Sequence, residues 1–253
     1  MVFAGLRLAA GTLTVLPSGP IPHIDQPLAA RAMIVAPLAV LPLAVLATLV
    51  AWAAQLFSLP PLVVGLLVVG TLALGTRALH LDGLADTVDG LGSGWDRARA
   101  LEIMRRGDIG PMGVVALVLV LGLQAAAIGW LADDLRGASL VGLVVCCSRA
   151  ALTVVCRRGV PAARSGGLGV AMAGSVPWPA ALVMWLLVVS VLGLVQREWG
   201  TGPVSGVLAG LAALVAVLLL IRRCVRRFGG VTGDVMGAAI EIALTIMLVG
   251  VSL

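Results

Sequence analysis

The sequence predicts an all-α, polytopic integral membrane bundle of about seven transmembrane helices, preceded by a short N-terminal interfacial or re-entrant helix. Three observations predict it. Of 253 residues, 60% are hydrophobic and 11% charged, against roughly 45–50% apolar and about a quarter charged in soluble domains. With a mean hydropathy of +1.13, the chain has too few polar side chains to cover a water-facing surface. That excludes an ordinary cytosolic enzyme, a disordered chain and a nucleic-acid-binding module. Long apolar runs lie near 32–57, 62–79, 112–131, 139–156, 178–196, 204–221 and 235–251, most of them close to the roughly 17–25 residues a membrane helix needs. Finally, the basic residues alternate between the segments that join these runs.

Residues 1–16 are apolar apart from Arg7 and stop at Pro17. No basic stretch precedes them and no cleavage site follows, which argues against a signal peptide. They are also short for a span, hence the interfacial or re-entrant reading. Residues 17–27 hold four prolines and a glycine and read as a loop. Pro37 and Pro42 predict a kink within the first span. Between the second and third runs, residues 80–110 form the only long polar insertion, a length that usually signals function. Further polar segments lie near 157–177 and 222–234. No internal repeat is visible, and residues 1–253 read as one membrane-embedded domain.

All 17 basic residues are Arg. Residues 97–106 carry four, 157–164 three and 222–227 four; with Arg7, Arg31 and Arg77 that places fourteen on one side, against Arg136 and Arg197 on the other, and Arg149 within a span. The positive-inside rule puts the Arg-rich side in the cytoplasm. Cys146, Cys147, Cys156 and Cys224 have no zinc-ligand or disulfide spacing and read as small buried thiols.

Five of the twelve acidic residues are Asp82, Asp86, Asp89, Asp96 and Glu102. On a helix, positions 82, 86 and 89 share one face. No Arg or Lys is interleaved between 78 and 96, so the three carboxylates need another neutraliser. Hard carboxylate oxygens suit Mg²⁺ or Mn²⁺; hydration at a solvated helix end is the plain alternative. His80 reads as a metal ligand, a general base or a phosphate contact, or as a structural histidine. In RRGVPAARSGGLG (157–169), Arg164 beside Gly166, Gly167 and Gly169 suits a phosphate group. Arg157 and Arg158 also fit a simple topology signal or anionic lipid contact. Arg149 is costly at membrane depth and should face the interior and an anionic partner. In RRFGGVTGDVMGAAIE, Asp234 opens the last span and Glu241 lies on the same face among apolar residues. Gly229, Gly230, Thr232 and Gly233 form a backbone-exposing turn beside them. Clustered acids with Arg- and Gly-rich elements suggest phosphoryl transfer or transfer of a phosphate-linked group.

The strings LHLDGLADTVDG (79–90), RALEIMRRGDIGPMGVVAL (99–117), PAARSGGLG (161–169) and GGVTGDVMGAAIE (229–241) resemble those of the cobalamin synthase family, the adenosylcobinamide-GDP ribazoletransferases. The resemblance covers nearly the whole chain, in order. This chain departs from the family at Ala162 (often Tyr), at Val15 (often Arg) and in MRRGDIG (commonly a Lys-Asp-Ser type). The resemblance implies a Mg²⁺-dependent multi-pass enzyme of the cell inner membrane, with its active site on the cytoplasmic face. Its substrates would be adenosylcobinamide-GDP and α-ribazole or α-ribazole 5′-phosphate, with release of GMP. Asp82, Asp86, Asp89 and Asp234 would be metal ligands, with Asp82, Asp86, Asp89, His80 and Glu241 the catalytic set. Arg149, Arg164, Gly166, Gly167, Gly230, Thr232 and Gly233 would contact phosphate and substrate. Membrane lipid is the other expected partner, a homo-oligomer is left open, and no nucleic acid is expected. Two alternatives remain. A CDP-alcohol phosphotransferase-like enzyme would need an Ala-Arg pair and a later Asp-x-x-x-Asp within its Asp-Gly motif, but the spacing here gives Asp86 and Asp89 early and neither element stands in that place. A secondary transporter would use Glu241 and Arg149 as a coupling pair, but no inverted repeat is visible.

Overall fold

The computed structural model describes residues 2–21, 23–94, 96–199 and 202–253. Thirteen helices are built among them: α1 (Val2–Leu13), α2 (Gln26–Ala39), α3 (Leu41–Leu56), α4 (Pro61–Gly75), α5 (Leu79–Gly92), α6 (Arg97–Ile103), α7 (Pro111–Leu131), α8 (Leu135–Ser148), α9 (Ala151–Val155), α10 (Leu168–Met172), α11 (Trp178–Glu198), α12 (Pro203–Phe228) and α13 (Gly233–Val251). Six stretches are long and apolar enough to cross a membrane, and seven if α4 and α5 count as one bent span. The architecture is the expected all-α membrane bundle.

The expected proline kink is present. Helices α2 and α3 form one apolar stretch from Gln26 to Leu56, interrupted at Val40 between the two prolines. The second span differs from the expected 62–79. Helix α4 ends at Gly75, and α5 leaves it at 91°. Arg77 and Ala78, with φ of 55° and 53°, take the left-handed conformation at the corner. Apolar composition alone could not show this break, because neither residue is a glycine or a proline. Its ties are tertiary: Arg77 Nη2 donates to the carbonyls of Gly11 and Thr14 at 3.2 and 3.3 Å, and the Val15 amide donates to Gly75 O at 2.8 Å. The C-terminal end of α1 is thereby fastened to the corner.

Both halves of the bent pair pack against α7. Gly129 lies against Pro61 and Gly65 against the Ala125 backbone, while Gly113 meets Ala85 and Asp89. Missing Cβ atoms at these crossings let the helices approach closely, as small residues do in membranes. Helices α8–α9 and α13 form the centre, with 89% and 72% of their spanning windows buried. Helices α7, α11 and α12 turn exposed leucines such as Leu119, Leu186 and Leu219 outward, where lipid rather than water is the solvent. Helix α5 packs along α13, with Gly83 on the Asp234 backbone and Gly237 on the His80 backbone. The acid-bearing helix is thus held inside the bundle rather than projecting from it.

Candidate active site

Three Arg-rich segments converge at one end of the bundle. Two parallel backbone bonds, Ala163 N to Val231 O and Val231 N to Pro161 O, each 2.9 Å, join the 157–169 segment to the turn before α13. Gly230 fits this junction because a Cβ would run into the backbone of 161–163. From α6, Arg97 Nη2 donates to Ala163 O at 3.3 Å, and Arg164 Nη2 reaches back to Leu101 O at 3.2 Å. Gly229, at φ 75°, carries the Arg97 guanidinium on its bare α-carbon. Arg97 and the Leu101 carbonyl were not singled out from the sequence, where 97–106 reads only as an Arg-rich segment that sets the topology.

Against this cap stand the acids of α5 and α13. Asp82 is exposed, and Asp86, Asp89 and Asp234 are partly buried. Asp86 lies in the field of Asp82, Asp234 and Asp89, with Arg164 the cation facing it. Arg164 Nη1 is 3.6 Å from Asp234 Oδ2, and Thr232 Oγ1 donates to the same oxygen at 3.1 Å while accepting from Val235 N at 3.3 Å. Asp234 therefore joins Asp82 and Asp86 with an Arg beside them. Asp89 is differently occupied. Its Oδ2 accepts from Gly110 N at 2.7 Å and its Oδ1 from Gly113 N at 2.9 Å. It caps α7 from outside, where unsatisfied amides and the helix dipole favour an anion. Glu102 also has partners: Arg106 and Arg99 bond it at 2.8 and 3.1 Å, holding its carboxyl below the ordinary glutamate value.

Among the described residues, no three His, Cys, Asp or Glu side chains form a ready-made metal cage. Mg²⁺ usually keeps several waters and takes one or two carboxylates plus substrate phosphates. Asp82, Asp86 and Asp234 fit that kind of shared site, not a closed protein cage.

Deeper in the bundle lies a second polar group. Glu241 Oε2 accepts from Gln124 Nε2 at 2.8 Å, and the same amide donates to Thr245 Oγ1 at 3.0 Å. Glu241 Oε1 lies 3.7 Å from His80 Nδ1, and among the described residues neither ring nitrogen of the buried His80 has a hydrogen-bond partner. Arg149, 1% exposed, donates to Val145 O at 2.9 Å and Ser148 Oγ at 2.8 Å. Glu241 shares a narrow space with it, yet among the described residues no carboxylate pairs with Arg149 directly. Gln124 was missed at the sequence level although a signal existed, being the one amide in the apolar run 112–131.

His80, Asp82 and Asp234 also line a cavity of about 200 Å³ whose other walls come from α1, α2, α9, α10 and α13. Leu79, Asp82 and Gly233 are its exposed lining residues, and Met33, Leu152 and Ile240 on its walls are buried.

Residues 5–252 match the family model described as cobalamin-5-phosphate synthase. The chain belongs to this family. Curated relatives named adenosylcobinamide-GDP ribazoletransferase include one from Nocardioides sp., 51% identical over 79% of this chain and 90% of its own length. One from Frankia casuarinae is 40% identical over 74% of this chain and 70% of its own, and one from Bradyrhizobium diazoefficiens 37% over 76% and 74%. No solved structure matches the chain significantly.

In this member of the cobalamin-5-phosphate synthase family, all four strings that carry the resemblance meet at the site. Asp89 of the first bonds the second at Gly110 and Gly113, and Arg164 of the third bonds the second at Leu101. Gly169 of the third lies on Thr232 and Gly233 of the fourth, and Gly83 of the first on Asp234. Gly166, Gly167 and Gly233 have open space where a side chain would stand, leaving backbone accessible at the cap. Arg157 and Arg158 sit on a turn tied to Val176, and Arg149 lies behind the cavity rather than on its wall.

Proposed function

We propose that the chain is an adenosylcobinamide-GDP ribazoletransferase, joining adenosylcobinamide-GDP to α-ribazole or its 5′-phosphate with release of GMP. The observation that carries this reading is the family match over 5–252, and the relatives' names give the reaction. The site chemistry supports it. The ribose 3′-hydroxyl of α-ribazole attacks the phosphorus attached to the aminopropanol arm. A new O–P bond forms, the bond to the GMP phosphate oxygen breaks, and GMP leaves with that electron pair. Arg164 faces Asp86 and Asp234 and balances charge on the phosphate oxygens. His80, with no competing hydrogen bond on either nitrogen among the described residues, accepts the hydroxyl proton, and the Glu241 carboxylate 3.7 Å from its Nδ1 favours the charge it gains. Asp82, Asp86 and Asp234 would hold Mg²⁺, which when bound supplies charge neutralisation on the diphosphate.

The Arg-rich end faces the cytoplasm on the positive-inside argument, and the family resemblance implies the cell inner membrane. The test is direct. Purified chain in nanodiscs, given adenosylcobinamide-GDP, α-ribazole and Mg²⁺, should release GMP and form adenosylcobalamin in equal amounts. No GMP release at any Mg²⁺ concentration would overturn the reading.

A further inference from the structure

The cavity behind Asp82 has walls too apolar for a phosphate site. Its sides are Leu13 from α1, Met33 from α2, Leu152 from α9, Met172 from α10, and Met236 and Ile240 from α13. All six are at least partly buried, and Leu152 and Ile240 are each 1% exposed. Among the described residues no basic side chain lines it; its polar lining side chains are His80 and Asp82 from α5, Asp234 from α13 and Thr12 from α1. Its volume of about 200 Å³ is below the roughly 300–1,000 Å³ of pockets that hold a whole drug-sized ligand. It takes one ring system.

We infer that this cavity seats the aromatic base of the acceptor nucleoside, with the ribose at the His80–Asp82–Asp234 rim. The inference rests on the proposed transferase reading and deepens it. Among the parts of the two substrates, a corrin ring is far too large for the space. A diphosphate would be buried without a cation. Guanine carries donors and acceptors around its edge that these walls would leave unpaired, which is costly. The dimethylbenzimidazole of α-ribazole is bicyclic, apolar and of fitting size. Three methionines suit it, since thioethers adapt to irregular shapes and contact aromatic rings favourably. Seated there, the base directs its sugar toward the polar side of the cavity. The nucleophilic hydroxyl then lies near His80, and the GDP-activated partner approaches from the Arg-rich cap. The role of α1 follows: fastened to the α4–α5 corner by Arg77, it supplies Leu13 to the pocket.

The test compares the two substrates on the full-length protein in nanodiscs. Met172→Trp fills the cavity from a short surface helix, and Leu79→Trp blocks its mouth from a position already 48% exposed, so that at least one variant folds. Each should raise the KM for α-ribazole at least tenfold while changing the KM for adenosylcobinamide-GDP less than twofold. Binding of α-ribazole alone, by equilibrium dialysis, should weaken in parallel. A riboside lacking both base methyls should bind wild type about tenfold more weakly, since each buried methyl contributes about that of a CH₂ group. If GMP release is normal but the variants raise only the GDP-substrate KM, the pocket assignment falls and the transferase reading stands. If a lipid acyl chain holds the cavity instead, α-ribazole affinity will be indifferent to both tryptophans, which also overturns it. If wild type releases no GMP yet binds α-ribazole in the expected order, the reaction reading alone fails.

Discussion

Replacing Asp89 tests whether the three aspartates of α5 do one job or two. Both of its oxygens are engaged by amides at the first turn of α7. A hydrogen bond to a charged group contributes about 1.5–3 kcal/mol, and loss of a capping side chain costs about 0.5–2 kcal/mol. Because Asp89 is partly exposed, solvent screening discounts the sum, and Asp89→Ala should cost about 2–3 kcal/mol. For a chain of this size that is about 5–10 °C in Tm. Asp89→Asn keeps an acceptor and should lose about 1 kcal/mol. Asp86→Asn removes a charge held among Asp82, Asp234 and Asp89, so stability should hold or rise while turnover collapses. The assay pairs thermal unfolding in detergent with a Mg²⁺ titration of GMP release. Asp89→Asn should lose stability and keep its Mg²⁺ midpoint, whereas Asp82→Asn and Asp86→Asn should keep stability and lose the Mg²⁺ response. If Asp89→Asn behaves like Asp86→Asn in both measurements, Asp89 is a metal ligand and the capping argument is refuted.

Ala78→Gly should stabilise the protein by about 1 kcal/mol, because the left-handed conformation is costly for alanine and free for glycine; an unchanged or lower Tm would show that the corner is unstrained. Gly230→Ala should cost about 2–3 kcal/mol, since its methyl meets the 161–163 backbone, and wild-type unfolding would refute that packing. Arg149→Lys should lower the Tm, since a single ammonium on a different reach does not keep both bonds to Val145 O and Ser148 Oγ in a buried site, and an unchanged Tm would show that those bonds contribute nothing. Because Arg149 and Glu241 are not directly paired, the double variant Arg149→Met, Glu241→Met should stay inactive, and recovery of activity would mark them as a structural pair. Cysteine at Ser165 in a Cys-free background should be protected from impermeant reagents applied outside cells, and cysteine at Asp133 labelled; the reverse would invert the topology.

The membrane class, most span positions, the proline break after α2 and the identity of the polar segments were legible in the sequence. They depend on local quantities: apolar run length, the fixed φ and missing N–H of proline, and the side on which arginine stays. The helical spacing of Asp82, Asp86 and Asp89 was legible for the same reason, since 3.6 residues per turn is a local rule. What each carboxylate meets is not local. Only tertiary structure turned Asp89 to the amides of Gly110 and Gly113 and brought Asp234 toward Asp82, Asp86 and Arg164. It also buried His80 beside Glu241 and closed α1 and α10 around a cavity. The corner at Arg77–Ala78 belongs there too. Neither residue prefers the left-handed region, and the contacts that accompany the turn, from Gly11 and Thr14 to Arg77 and from Val15 to Gly75, come from a segment distant in sequence. Periodicity states which side chains share a face; packing decides what that face touches.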